Sequence, residues 1–134
     1  MNKLCSIILI DDDEDDQMIF TSAIGEISKE IICTCYDNAL HGLKVLRNNY
    51  EQKPDCIFLD LNLPLMSGFD FLQEIKSSNE LTEIHVIIYS TSSREADKAK
   101  AMQLGAFNFL SKPSTYLELK EKVTGLLNSA ALFQ

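Results

Sequence analysis

Asp11, Asp12, Asp60, Ser90 and Lys112 are residues of reactive type, and each stands at the end of a short apolar run. Clustered carboxylates repel one another unless a cation neutralises them, and hard oxygen donors suit Mg²⁺. A carboxylate beside such an ion can attack phosphorus and form an aspartyl phosphate. The oxygens of a transferring phosphoryl group carry charge that an amine and a hydroxyl stabilise. Asp60 follows the uniformly apolar run Cys56-Ile57-Phe58-Leu59 and is the natural nucleophile, with Asp11 and Asp12 as metal holders. One such residue alone reads as ordinary loop polarity. Five at corresponding positions form a pattern, provided the runs are neighbouring strands.

Other chemistries fit the spacing less well. Asp11-x-Asp13-x-Asp15 has the start of a calcium loop, but the position needing Gly is Asp16 and the twelfth is Ser22 rather than Glu. Asp13 to Asp16 suit the acidic first turn of a helix, where the macrodipole favours negative charge. The glycines Gly25, Gly42, Gly68, Gly105 and Gly125 are scattered singly, so no Gly-rich phosphate loop exists. Cys5, Cys33, Cys35 and Cys56 show no C-x-x-C spacing and read as structural, with Cys33 and Cys35 sharing one face of a strand.

The elements that must position these groups alternate in type. Leu4 to Ile10, Ile31 to Tyr36, Cys56 to Leu59, Val86 to Tyr89 and Ala106 to Leu110 read as strands. Between them, Asp15 to Ile27 carries Ile19/Phe20, Ala23/Ile24 and Ile27 at helical spacing. Asp37 or Asn38 caps a helix bearing Ala39, Leu40, Leu43, Val45 and Leu46. Ser67 precedes a helix with Phe69, Phe71, Leu72 and Ile75, and Gly105 closes the charged segment Arg94 to Leu104. Ser114 or Thr115 caps a last helix whose stripe is Leu119, Val123, Leu126, Leu127 and Ala130. Alternation of this kind predicts an α/β fold, a doubly wound five-stranded parallel sheet with five helices and right-handed crossovers. Ligands then bind beyond the carboxyl ends of the strands, where the five groups stand.

The chain has 134 residues and a net charge of −8, with 46 % hydrophobic and 24 % charged residues. That length suits one domain, expected to span 1–134 with its core at about 4–129. Six of the 20 acidic residues lie in the run 11–16, which leaves 14 against 12 basic ones elsewhere. The acidity is local, and it argues against nonspecific nucleic-acid binding. No segment approaches the ~20 apolar residues of a membrane helix, and the run Ile7 to Ile10 is too short for a signal peptide. These features predict a soluble, cytoplasmic chain with no nucleic-acid or membrane partner.

Four separated stretches carry a resemblance: Ile8-Leu9-Ile10-Asp11-Asp12-Asp13, Phe58-Leu59-Asp60-Leu61-Asn62-Leu63-Pro64-Leu65-Met66-Ser67-Gly68, Ile88-Tyr89-Ser90, and Gly105-Ala106-Phe107-Asn108-Phe109-Leu110-Ser111-Lys112-Pro113. In this order and on these elements they resemble the receiver domains of two-component response regulators. The resemblance covers nearly the whole chain and implies the flavodoxin-like strand order 2-1-3-4-5. It implies that Asp60 accepts a phosphoryl group from a histidine kinase or a phosphotransfer protein. Asp11, Asp12, Asp60 and the backbone carbonyl of Asn62 would hold Mg²⁺. Ser90 and Lys112 would bind the phosphate, Ser90 and Phe109 would act as the switch, and Lys112-Pro113 matches a peptide bond usually cis in the family.

The chain departs from the commonest pattern at His85, where Pro is frequent, at Thr91, where Ala is frequent, and at Phe109, where Tyr is common. None of these removes a reactive group. Asp60-Leu61-Asn62-Leu63-Pro64 with Ser90-Thr91-Ser92-Ser93 is similar to small stand-alone receivers associated with phytochrome-type kinases. The resemblance implies a phosphoprotein that catalyses only its own phosphorylation and dephosphorylation and signals through phosphorylation-dependent contacts with a downstream protein target. A homodimer is compatible with it. Two other classes compete: a phosphorylation-independent interaction module on the same fold, and a magnesium-dependent phosphatase. The phosphatase would want Asp-x-Asp, but position 62 is Asn. The segment Arg94–Leu104, the fifth strand and the last helix form the usual contact face of the family, which Leu132-Phe133 could extend.

Overall fold

The computed structural model describes residues 5–130. Leu4 and Leu132-Phe133 lie outside the described residues. The elements run β1 (Cys5–Ile10), α1 (Glu14–Ile27), β2 (Ile31–Tyr36), α2 (Ala39–Asn48), a short 3-10 turn (Tyr50–Gln52), β3 (Cys56–Leu59), α3 (Gly68–Ser77), β4 (His85–Ser90), α4 (Glu95–Gln103), β5 (Asn108–Ser111) and α5 (Tyr116–Ser129). All five strands are parallel, in the order β2-β1-β3-β4-β5. This is the flavodoxin-like sheet, and its order reverses between β1 and β3.

Strand side chains alternate between two cores, as the two-residue period of a strand requires. Ile8, Ile10, Ile57, Leu59, Val86 and Ile88 pack with Leu43, Leu46, Phe71, Leu72 and Ile75 of α2 and α3. Ile7, Leu9, Cys56, Phe58, Ile87 and Tyr89 pack with Phe20, Ala23 and Ile24 of α1 and Leu119, Val123 and Leu127 of α5. The rings of Phe20 and Phe58 lie 4.9 Å apart in the second core. Because the central strands are buried on both faces, they read as unbroken apolar runs.

Four helices begin at side-chain caps that satisfy otherwise unpaired amides. Asp13 accepts from the amides of Asp15 and Asp16, Asn38 from His41, Ser67 from Asp70 and Thr115 from Glu118. α4 has no side-chain cap and buries only Ala101, so little packing holds it. Gly105 ends it with φ +104°, a backbone conformation that favours glycine.

Several expectations shift. The last strand covers Asn108–Ser111 rather than Ala106–Leu110. The Ala106 N–H closes the end of α4 on the Ala101 carbonyl at 3.0 Å, so it is not free for the sheet. Ile19 and Leu40 face out, 44 % and 46 % exposed, because their helices bury narrower stripes centred on Phe20 and Leu43. Cys5 and Cys56 are buried as expected, but Cys33 and Cys35 are only half-buried. The Lys112–Pro113 bond is not cis: none of the peptide bonds among the described residues is. The trans form is the lower in energy for an X–Pro bond by about 0.5–1 kcal/mol.

Candidate functional site

The carboxyl edge of the sheet gathers the acids. Asp11 and Asp12 leave β1, Asp60 leaves β3, and one carboxylate oxygen from each lies within 4.8 Å of the others. Backbone bonds align the strand ends: the Asp60 N–H donates to the Ile10 carbonyl at 3.0 Å and the Asp11 N–H to the Tyr36 carbonyl at 3.1 Å. The side chains are held by the turns that follow them. Asp11 Oδ1 accepts from the Asp13 amide at 2.9 Å, and Asp60 Oδ1 from the Asn62 amide at 3.2 Å. Asp11 and Asp60 are buried, whereas Asp12 is exposed.

The loop after β3 has no slack where it passes the site. The Gly68 N–H donates to the Leu61 carbonyl at 3.0 Å. A Cβ on Gly68 would lie 2.3 Å from the Asp60 carbonyl oxygen and 2.8 Å from the Leu61 Cα, so α3 can begin here only with glycine. Within the loop Leu65 adopts φ 70° and is 81 % exposed.

Lys112 reaches the cluster from the end of β5, its backbone N–H fixed on the Ser90 carbonyl at 2.7 Å. Its Nζ donates to Asp11 Oδ2 at 2.8 Å, Asp16 Oδ2 at 2.7 Å and Asp60 Oδ2 at 3.2 Å. It also lies 5.2 Å from the centre of the Tyr89 ring. Burial pushes the Asp11 carboxyl above its usual range, an effect the Lys112 bond and the Asp13 amide offset only in part. Burial disfavours the Lys112 ammonium too, but its bonds to Asp11 and Asp16 prevail and raise its pKa. Burial raises the Tyr89 hydroxyl to about 12.

Three carboxylates thus share one ammonium, and Asp12 stands beside them without a bond to it. An all-oxygen donor set with excess negative charge fits a hard divalent cation, held by Asp11, Asp12 and Asp60. Ser90 is fully buried at the end of β4, on the strand beside β3, and its Oγ accepts from the Ser92 amide at 3.4 Å. Phe109 lies away from the acids: half-buried on β5 beside Ile88, it lines a groove of about 560 Å³ with Lys98, Glu118, Lys122 and Leu126. Pro113 is half-buried beyond Lys112.

Two participants escape a reading of the sequence. Asp16 belongs to the acidic first turn of α1, yet it also binds Lys112. The run of acids hinted at it without separating it from its neighbours. Gln17 Nε2 donates to the Asp11 carbonyl at 2.6 Å and to Asp37 Oδ1 at 3.1 Å, bracing β1 against the end of β2. Nothing in its local pattern marks it.

Comparison with known proteins adds an independent line. The model of the response regulator receiver domain matches residues 7–124. The polar-differentiation response regulator DivK of Brucella anthropi is 29 % identical over 125 residues, covering 93 % of this chain and 98 % of its own. Other curated relatives are longer. The chain spans 49 % of the transcriptional regulatory protein PrrA of Mycobacterium leprae, at 26 % identity, and 36 % of a protein-glutamate methylesterase/protein-glutamine glutaminase of Halalkalibacterium halodurans, at 32 % identity. Each of these matches covers at least 90 % of this chain. Among solved structures, the phosphorylated cyanobacterial phytochrome response regulator RcpA superposes with a TM-score of 0.86 at 27 % identity, covering 96 % of this chain and 95 % of its own. The Mn²⁺-bound form of the response regulator Rcp1 superposes with a TM-score of 0.81 at 26 % identity, covering 92 % of each chain.

Proposed function

Because this chain belongs to the response regulator receiver domain family, we propose that it is a stand-alone phosphoacceptor switch, a single receiver domain over residues 1–134 that takes a phosphoryl group on Asp60. The observation that carries this reading is the Lys112 ammonium bonded to both Asp60 and Asp11, with Asp12 completing the carboxylate set. A Mg²⁺ ion held by Asp11, Asp12, Asp60 and the Asn62 carbonyl would neutralise charge on the phosphoryl oxygens. The Asp60 carboxylate attacks phosphorus, the bond from phosphorus to the donor's histidine nitrogen breaks, and that nitrogen keeps the electron pair. Lys112 exchanges its bond to Asp60 for one to a phosphoryl oxygen, and the Ser90 hydroxyl donates to another. Asp60 Oδ1 stays oriented by the Asn62 amide.

The donor in this reading is a histidine kinase or phosphotransfer protein in the cytoplasm, and the likeness to RcpA makes a phytochrome-type kinase the first to test. Among the described residues no helix is long and apolar enough to cross a membrane. In this reading the output is made through protein contacts, and the chemistry assigned to these residues is on the chain's own phosphoryl group. Incubation with acetyl phosphate and Mg²⁺ should add one phosphoryl group by intact mass. Asp60→Asn should abolish the gain while leaving the fold intact, and an undiminished gain would move the nucleophile elsewhere.

A further inference from the structure

β2 is an edge strand, paired only with β1 among the described residues. It carries two thiols that the phosphoacceptor reading leaves unused. Cys33 and Cys35 alternate along it opposite Ile7 and Leu9, so both point to the α1 side of the sheet, where they pack at the margin of the core without being covered by it. The two thiols are neighbours on that face, and the Cys33 thiol beside it favours the thiolate at Cys35. Cys5 and Cys56 are buried instead, and burial pushes the Cys56 thiol up and keeps it inert.

We propose that Cys33 and Cys35 form a reactive dithiol that a peroxide-class oxidant closes into an intrachain disulfide. The Cys35 thiolate attacks one peroxide oxygen, the O–O bond breaks, and hydroxide leaves to be protonated to water. The resulting Cys35 sulfenic acid is attacked at sulfur by Cys33, which loses its proton as a second water leaves. Peroxide is reduced and two thiols are oxidised, so no further reagent is needed. Alternate Cα atoms on a strand lie ~6.6 Å apart, at the upper end of the ~4.4–6.8 Å that a disulfide spans, and the parallel Cβ atoms must close to ~3.5–4.5 Å. Closure therefore bends the strand. An edge strand, with one side free of a ladder partner, accommodates that bend more easily than a central one. The product is a strained bond, readily reversed by dithiols.

The test titrates the reduced full chain with hydrogen peroxide, alkylates the remaining thiols under denaturing conditions and maps the peptides. The expected product lacks two alkylatable thiols, both at Cys33 and Cys35, and regains them on treatment with dithiothreitol. It should form at a peroxide concentration at least about tenfold below that which modifies Cys5 or Cys56. In Cys33→Ser, dimedone should trap a sulfenic acid at Cys35, and Cys35→Ser should show none at Cys33. Phenylarsine oxide, which needs two adjacent thiols, should label the native chain once and neither variant. Full alkylation of Cys33 and Cys35 after peroxide, separate over-oxidation without a cross-link, or modification of Cys5 or Cys56 first would each overturn the assignment.

Discussion

Lys112 decides the electrostatics of the site. It is the one cation bonded to Asp11, Asp16 and Asp60 among the described residues, and its side chain is 11 % exposed. Lys112→Met should lower the metal-free stability by about 3 kcal/mol, because a buried carboxylate loses its partner. The same change should enlarge the stabilisation by Mg²⁺, since the cation then neutralises a more negative cluster. Asp12→Asn, on an exposed residue that Lys112 does not reach, should act in the opposite sense: a slightly higher metal-free melting point and a smaller Mg²⁺ increment. In the wild type that increment is ~1.4 kcal/mol at ~10 times Kd, or roughly 3–5 °C. Thermal melts of the three proteins with chelator and with Mg²⁺ decide both points. The pH dependence follows from the two raised pKa values. Folded Asp11 titrates above its ordinary 3.8, so its contribution to stability falls as pH rises through the interval above that value. Folded Lys112 titrates above its ordinary 10.5, so its contribution is complete below 10.5 and is lost as pH rises through the higher folded value. Alkaline melts should show this loss in the wild type and not in Lys112→Met.

Helix starts and the loops before them set the positions of these residues, and the glycines separate two kinds of constraint. Gly68→Ala drives a methyl group into the backbone of Asp60 and Leu61 and should cost about 2–3 kcal/mol while displacing Asp60. Gly42→Ala meets the Cδ1 end of the Ile10 side chain at 2.9 Å rather than backbone, and should be milder. Gly25 and Gly125 lie in α1 and α5 with nothing within 4 Å of an added Cβ. Their replacement by Ala should stabilise each helix by about 0.5–1 kcal/mol, read as a shift in denaturant midpoint. Exposed apolar residues flank the acids on the same elements: Met18 on α1, 66 % exposed, and Leu65 in the loop after β3. On the phosphoacceptor reading they meet the donor protein. Met18→Asp and Leu65→Asp should slow phosphotransfer from a protein donor at least about tenfold and leave acetyl phosphate labelling unchanged. Equal slowing with both donors would place their effect in the chemistry instead.

Across the molecule, the acidic edge and the α4–β5–α5 face are joined through backbone. Lys112 N–H is bonded to the Ser90 carbonyl, and the Ser111 hydroxyl donates to the Ser92 carbonyl at 2.9 Å. A shift of the segment after β4 therefore pulls on the strand that carries Phe109. α4, with one buried residue and no side-chain cap, is the element least able to resist. Phosphorylation of Asp60 should draw Ser90 toward it and let Phe109 turn inward, reshaping the groove that Phe109 lines. Structures with and without beryllofluoride should differ in the Phe109 rotamer and in α4. The same rotamer and surface in both would refute this route, and Ser90→Ala should uncouple labelling from the change.

The order of elements, the two-sided burial of the central strands, the cap at Ser67, the pairs Asp37/Asn38 and Ser114/Thr115 from which Asn38 and Thr115 prove to be the caps, and the five reactive groups at strand ends were legible in the sequence. Each rests on a local quantity: a period, a propensity, or a polar residue closing an apolar run. Tertiary structure decided which of these groups touch. The bond from Lys112 to Asp16 joins residues 96 apart, and it exists because three strand pairings bring the end of β5 level with the start of α1. Asp16 therefore looked like any acid in a first turn. Gln17 binds Asp11 and Asp37 across β1 and β2, a contact no spacing announces. Ile19 faces solvent although its type suits a core, and Cys33 and Cys35 stay half-covered because β2 is an edge. Local pattern states what a residue can do, whereas only the packed sheet determines what stands opposite it and how much water remains between them.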